Sequence, residues 1–206
     1  MSAEAIRHLS RDPALKPLIK RVGLISMRAD KRSPYEALVR AIAHQQLHGR
    51  AAETILGRFI ALFPAPFPQP ADVLGTRDHV LRECGFSGSK VAAIQDICSK
   101  TLDGVVPSRR VALRLSDEEL IERLTQIRGV GRWTVEMLLM FSLGRPDILP
   151  VDDFGVREGY RLCHGLEEQP RPRALATIGE AWAPFRSIAA RYLWRAADEA
   201  KKIKPV

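Results

Sequence analysis

A chain of 206 residues can bury one sizeable core or two small lobes without disulfide or metal staples. Its 32 Lys and Arg exceed its 24 Asp and Glu by eight, and a pI near 9.8 suits a polyanionic partner, either nucleic acid or an anionic membrane surface. The membrane alternative loses support because no run approaches the roughly 18 apolar residues of a spanning helix, and the N-terminus, with Glu4, Arg7, Arg11 and Asp12, has no signal-peptide core.

Apolar residues recur at spacings of three and four while sustained alternation is scarce, so the chain reads as all-α. Ser33-Pro34-Tyr35-Glu36 combines a capping-box pattern with proline at the first helical position and opens a helix to about Gln46. Ala51, Ile55, Phe59 and Ile60 stripe a second helix, which ends before the proline-rich loop 64–70. Short helices are expected over Ala71–Leu74 and Arg77–Cys84, with Gly85 as a left-handed stop, then one over Ser89–Thr101. Ser116-Asp117-Glu118-Glu119 is a second capping box, introducing Leu120, Ile121, Leu124 and Ile127 on one face. Beyond it, Trp133, Val135, Met137, Leu138 and Phe141 mark a well-buried helix, and later helices are expected over Phe154–Cys163, Arg173–Trp182 and Phe185–Lys201. Cys84, Cys98 and Cys163 form no pair and no C-x-x-C spacing, which fits buried thiols in a reducing, intracellular compartment; an iron–sulfur cluster normally takes four.

The most informative segment is Leu124-x-x-Ile127-Arg128-Gly129-Val130-Gly131-Arg132-Trp133-Thr134, two glycines flanking one aliphatic residue between striped helices. Glycines let the backbone turn tightly, and a helix beginning at once leaves its first N–H groups pointing outward, where they and the helix dipole can bind a phosphate. Arg132 adds a full charge, and Val130 anchors the turn in the core. An isolated G-x-G between helices is more often an ordinary αα-hairpin turn. The surrounding residues reverse that preference: the segment resembles the helix-hairpin-helix signature of DNA base-excision glycosylases, especially the 3-methyladenine DNA glycosylase II branch.

That resemblance runs from about Tyr35 to Arg195. Family members carry a Pro-rich loop some twenty residues past the hairpin that ends in aspartate at a helix start, here Leu149-Pro150-Val151-Asp152-Asp153-Phe154. The resemblance makes Asp153 the catalytic carboxylate and Asp152 its acidic neighbour; paired aspartates before a helix are also common caps, and the two readings are compatible. Members that nick the strand place lysine two residues after the last hairpin glycine, where this chain has Trp133. Indole forms no Schiff base, so a monofunctional enzyme using water is expected. Trp133, Phe185 (in Pro184-Phe185-Arg186-Ser187, similar to the family's Pro-Trp-Arg-Ser) and Met137 are the base-pocket residues so implied. His44-Gln45-Gln46-Leu47-His48 resembles the family segment that fills the gap left by a flipped base, with Leu47 as wedge and Gln46 and His48 touching the gap or the opposite base. Trp182 and Trp194 read as core or lobe-interface residues.

Gly129, Val130, Gly131, Arg132, Thr134 and, in a loosely hairpin-like turn at 84–90, Lys90 are the expected DNA-backbone contacts; a glycine-capped turn with solvated Lys90 explains the second segment equally well. The implied architecture is the minimal form without the N-terminal β-lobe: a single domain over 1–206 of two helical lobes, roughly 34–150 and 1–33 with 151–206, with a DNA-binding cleft between them. The implied activity is excision of 3-methyladenine and related N-alkylpurines from double-stranded DNA by a monomer, with no required cofactor, no metal in catalysis, and a monovalent cation at the hairpin beside the DNA phosphate. A non-catalytic helix-hairpin-helix clamp and a glycosylase for oxidised or mismatched bases are the rivals.

Overall fold

The computed structural model describes residues 3–26 and 28–203. Helices α1 (Ala3–Leu9) and α2 (Leu15–Val22) come first. They are followed by α3 (Pro34–His44), α4 (Gly49–Ala61), α5 (Pro70–Leu74), α6 (Asp78–Glu83), α7 (Gly88–Leu102), α8 (Arg109–Ala112), α9 (Asp117–Leu124) and α10 (Arg132–Met137). α10 runs on as a π-helical segment, Leu138–Leu143. α11 (Phe154–His164), α12 (Pro172–Gly179) with a 3-10 turn at Glu180–Trp182, and α13 (Arg186–Ile203) complete the chain. No strand occurs among the described residues, as the apolar spacing implied.

The chain divides into two compact units, residues 30–138, and residues 1–29 with 139–206. In the first, α3 packs on α4 and α7, α5 and α6 pack on α7, and α10 packs on α9. Leu38, Val39, Ile42, Leu56, Phe59, Ile94, Ile97, Leu120 and Leu124 are buried there. Capping explains several boundaries: Ser33 Oγ accepts from Glu36 N (3.2 Å) and Ser87 Oγ from Lys90 N (3.3 Å). Ser116 and Glu119 form the complete capping box expected of them. The box expected at Ser33 is only half made, because the Glu36 carboxylate turns instead to Arg40 (2.9 Å). α3 also ends at His44, earlier than the expected Gln46, because Gln46 takes a left-handed φ of 56°. A non-glycine residue held there costs roughly 1–2 kcal/mol, so something must hold it.

In the second unit α11 lies on α13, and α13 on α2. The α11–α13 approach is close enough that a Cβ on Gly159 would run into the backbone of Leu193. Trp182 is buried as expected, its Nε1–H donating to Asp12 Oδ2 (2.9 Å). The division falls at Leu138, earlier than the boundary near residue 150 read from the sequence. The reason is local: Pro146 O accepts from Ser187 N (3.0 Å), Ser187 Oγ accepts from Ile148 N (2.9 Å), and Asp147 pairs with Arg186, so residues 145–148 are tied to the start of α13. Cys84 and Cys98 are buried, whereas Cys163 is half-buried. Burial pushes the Cys98 and Cys163 thiols up to about 11, which makes neither a ready nucleophile.

Candidate active site

The hairpin turn joins α9 to α10. Gly129 has a φ of 76°, and a side chain there would also press on Ala93 Cβ (3.4 Å) and Ile42 Cδ1 (3.5 Å), so both conformation and space call for glycine. Ile127 and Val130 are buried and anchor the turn, with Val130 N donating to Ile127 O (3.1 Å). Arg128 N donates to Asp96 Oδ2 (2.7 Å), fastening the turn to α7. Gly131 is the N-cap of α10 with an ordinary φ of −94°, and a Cβ there would meet nothing within 4 Å. Its role is openness: Gly131 puts no side chain over the start of α10.

Three expected contact residues are placed differently from a simple phosphate grip. The Arg132 guanidinium pairs with Glu118 (2.9 and 3.0 Å) and with the buried Glu136 (3.2 Å). Thr134 is buried. Lys90 does not simply extend into solvent: it is half-buried, its Nζ donates to Ala43 O and Gln45 O, each at 2.8 Å, and burial draws its pKa down. Two of its three donors are used at the end of α3.

Beside the hairpin lies a 460 Å³ cavity lined by Ala41, His44, Gln45, Gln46, Trp133, Thr134 and Met137. The structure thus brings the expected pocket residues Trp133 and Met137 together, and adds His44 and Gln45, which sequence reasoning had not assigned to it. Trp133 is 46% exposed, an unusual state for so large an aromatic group. His44 is braced by Arg40 O (2.8 Å) and Glu53 (3.0 Å). Leu47 is 40% exposed between α3 and α4, flanked by exposed Gln46 and His48, the latter serving as the N-cap of α4 without a side-chain hydrogen bond.

Asp153 caps α11: its Oδ1 accepts from Val156 N (2.8 Å) and from Trp194 Nε1–H (2.7 Å). Trp194 therefore does more than fill a core or a lobe interface. Its ring stacks on Phe141 of the π-helical segment (5.9 Å, 23°), and the Arg191 guanidinium also lies over the Phe141 ring, 4.5 Å from its centroid. Gly155 makes the approach of Trp194 possible, since a Cβ there would lie 2.8 Å from Trp194 Cδ1 and 3.2 Å from both Trp194 Nε1 and Asp153 Oδ1. Phe185, expected in the base pocket, packs edge-on against His8 (5.5 Å), and the aromatic that meets Asp153 is Trp194. Asp152 is exposed.

The loop leading to Asp153 is held by the Phe185-Arg186-Ser187 segment. Arg186 grips Asp147 with two guanidinium bonds (2.7 and 2.8 Å) and its backbone N–H (3.2 Å). Burial acts to raise the Asp147 pKa, but these bonds from Arg186 outweigh it and hold the carboxyl below its usual range. Ser187, fully buried, donates to Arg145 O (2.8 Å). The only sequence signal for these roles was the Arg-Ser pair itself. No group of three or more His, Cys, Asp or Glu among the described residues could hold a metal ion, and no described helix is long and apolar enough to cross a membrane.

Residues 39–184 match the HhH-GPD superfamily of base excision DNA repair proteins, and the chain belongs to that family, as its motifs implied. It is 45% identical over 203 residues to DNA-3-methyladenine glycosylase 1 of Schizosaccharomyces pombe, covering 97% of this chain and 89% of the relative. The solved structure of S. pombe 3-methyladenine DNA glycosylase Mag1 in complex with abasic DNA is similar with a TM-score of 0.87 and 44% identity over 98% of this chain and 100% of that one. The DNA-3-methyladenine glycosidase of Bacillus halodurans is similar with a TM-score of 0.87 and 33% identity, over 98% and 92%.

Proposed function

We propose that the protein is a monofunctional DNA glycosylase that flips alkylated bases, 3-methyladenine and related N-alkylpurines, out of duplex DNA and hydrolyses their N-glycosidic bond, leaving an abasic site for base excision repair. The observation that carries this reading is Asp153, a carboxylate fixed by Val156 N–H and Trp194 Nε1–H in a chain that also bears the glycine hairpin. The names of relatives 44–45% identical over nearly the whole chain support it.

Cleavage of the glycosidic bond builds positive charge on the deoxyribose. A preorganised carboxylate stabilises that charge and can orient water, as in glycoside hydrolysis. A base alkylated at a ring nitrogen is already cationic and leaves without a strong acid. The 460 Å³ cavity is within the size range of small-molecule sites, and the Trp133 face offers a cationic base cation–π attraction as well as stacking. Leu47 is the residue that fills the vacated space, with Gln46 or His48 meeting the opposite base.

The first N–H groups of α10, beside Gly129, Val130 and Gly131, bind the DNA backbone. Val130 and the buried Thr134 contribute main chain only, and Arg132 keeps Glu136 while exchanging the exposed Glu118 for a phosphate. Lys90, with its ammonium on the end of α3, caps that helix and is no phosphate ligand. The monovalent cation belongs to the hairpin carbonyls: Gly129 O accepts from Gln45 Nε2 and Ile127 O from Val130 N, which leaves each a lone pair for an ion. The enzyme works inside the cell, on DNA, as a monomer.

Wild-type protein should release free 3-methyladenine from methylated duplex DNA, and borohydride should trap no covalent enzyme–DNA adduct. A panel of N3-, N7- and N1-alkylated bases, hypoxanthine and uracil would define its range. Tight DNA binding with no base released from any lesion would favour the clamp reading instead.

Gly131→Asp gives a separate test of the grip. Aspartate is a good N-cap and has room at this position, so the melting temperature should stay level or rise. The added negative charge should nevertheless weaken binding to all duplexes by about tenfold. Unchanged affinity in a titration would mean that the turn is purely structural.

A further inference from the structure

We infer that Lys90 is a positioning residue that locks the loop between α3 and α4 in the shape that presents Gln46 and Leu47, and thereby couples this loop to the hairpin. The inference rests on the reading of Leu47 as the residue that fills the gap.

Lys90 sits in the first turn of α7, where a cation opposes the helix dipole. Its placement becomes favourable only through its reach to another helix. The ammonium donates to Ala43 O and Gln45 O, both at 2.8 Å, and so caps the C-terminal end of α3, the end that attracts a cation. Immediately beyond, Gln46 takes its left-handed φ of 56°, which turns the chain so that Leu47 stands exposed. Gln45 is tethered twice, its carbonyl by Lys90 and its side chain by the Nε2–H bond to Gly129 O (3.0 Å). The second tether ends on the glycine whose own φ of 76° shapes the hairpin. The loop that opens the duplex and the turn that grips its backbone therefore share one set of bonds, and Lys90 closes it. Because the lysine supplies the restraint, the left-handed position can carry glutamine instead of the glycine that such backbone normally selects.

Lys90→Met removes both bonds while keeping length and apolar bulk. Single-turnover release of one alkylated base would be compared in two settings: fully paired duplex, and the same lesion opposite an abasic site, where the base is already unstacked. We expect Lys90→Met to lose about tenfold or more on the paired duplex but no more than about threefold on the unstacked lesion, the pattern of a misplaced wedge rather than damaged chemistry. Gln46→Gly added to Lys90→Met should restore part of the loss, because glycine takes a positive φ without restraint. The salt dependence of DNA binding should be unchanged, whereas loss of a phosphate contact would lower its slope by about one.

If Lys90→Met does not fold, Lys90→Gln, a shorter and neutral side chain that cannot give the same pair of charge-assisted bonds, carries the same comparison. Equal losses on both substrates, wild-type rates on the paired duplex, or a reduced salt slope would each overturn the inference. A wild-type protein that releases no alkylated base from either substrate would instead overturn the glycosylase reading on which it rests.

Discussion

Asp153→Asn should lower single-turnover release of alkylated base by roughly a hundredfold or more while leaving thermal stability level, since loss of a preorganised electrostatic stabiliser typically has that size. The two properties separate at this residue because the cap needs only an oxygen acceptor, whereas the proposed catalysis needs the charge. As the N-cap of α11, Asp153 accepts from Val156 N–H (2.8 Å), and asparagine caps about as well as aspartate. The asparagine oxygen can also keep the bond from Trp194 Nε1–H (2.7 Å), so the geometry survives. Only the negative charge disappears, and that charge is what the sugar would need in the transition state. Asp153→Ala, by contrast, should lose activity together with about 1 kcal/mol of stability from the missing cap. Chemical denaturation beside the kinetics distinguishes the two variants. An Asp153→Asn protein as active as wild type would show that this carboxylate is a cap and nothing more.

The second large effect concerns two glycines one helical turn apart on α11. Alanine at Gly159 would drive its Cβ into the main chain of Leu193 on α13, and backbone cannot move aside as a rotamer can. Overpacking of this kind costs about 1–3 kcal/mol, and more where the obstacle is backbone, so Gly159→Ala should lower the melting temperature clearly or prevent soluble expression. Alanine at Gly155 meets a side chain instead, 2.8 Å from Trp194 Cδ1. There the ring can shift, at the expense of its hydrogen bond to Asp153 and its stack on Phe141. Gly155→Ala should therefore fold, with a smaller loss of stability than Gly159→Ala, and lose about tenfold in the chemical step with little change in DNA affinity. Trp194→Phe, which removes the N–H but adds no bulk, should reproduce the kinetic defect. If Gly155→Ala and Trp194→Phe both kept full activity, Trp194 would be packing against Asp153 without positioning it.

The apolar spacing, the capping signals and the glycines at 129 and 131 were enough to read an all-helical chain, most helix boundaries and the hairpin, because each depends on residues within about one helical turn of one another. Asp153 was legible for the same reason, lying in a local Pro-Val-Asp-Asp-Phe segment before a helix. The family followed from those local motifs taken in order along the chain.

What the sequence left undecided involves partners distant along the chain. Trp194 reaches Asp153 across 41 positions, and Lys90 reaches Ala43 across 47. Nothing in the stripe carrying Trp194 separates an indole that packs from one whose N–H grips a carboxylate, and nothing around Lys90 tells a phosphate ligand from a cap on another helix. Local sequence determined that Asp153 would be a helix-capping carboxylate; tertiary packing, through the empty space at Gly155 that admits Trp194, decided what holds it. Periodicity and capping are properties of neighbours, whereas the direction of a donor depends on which helices approach and how closely.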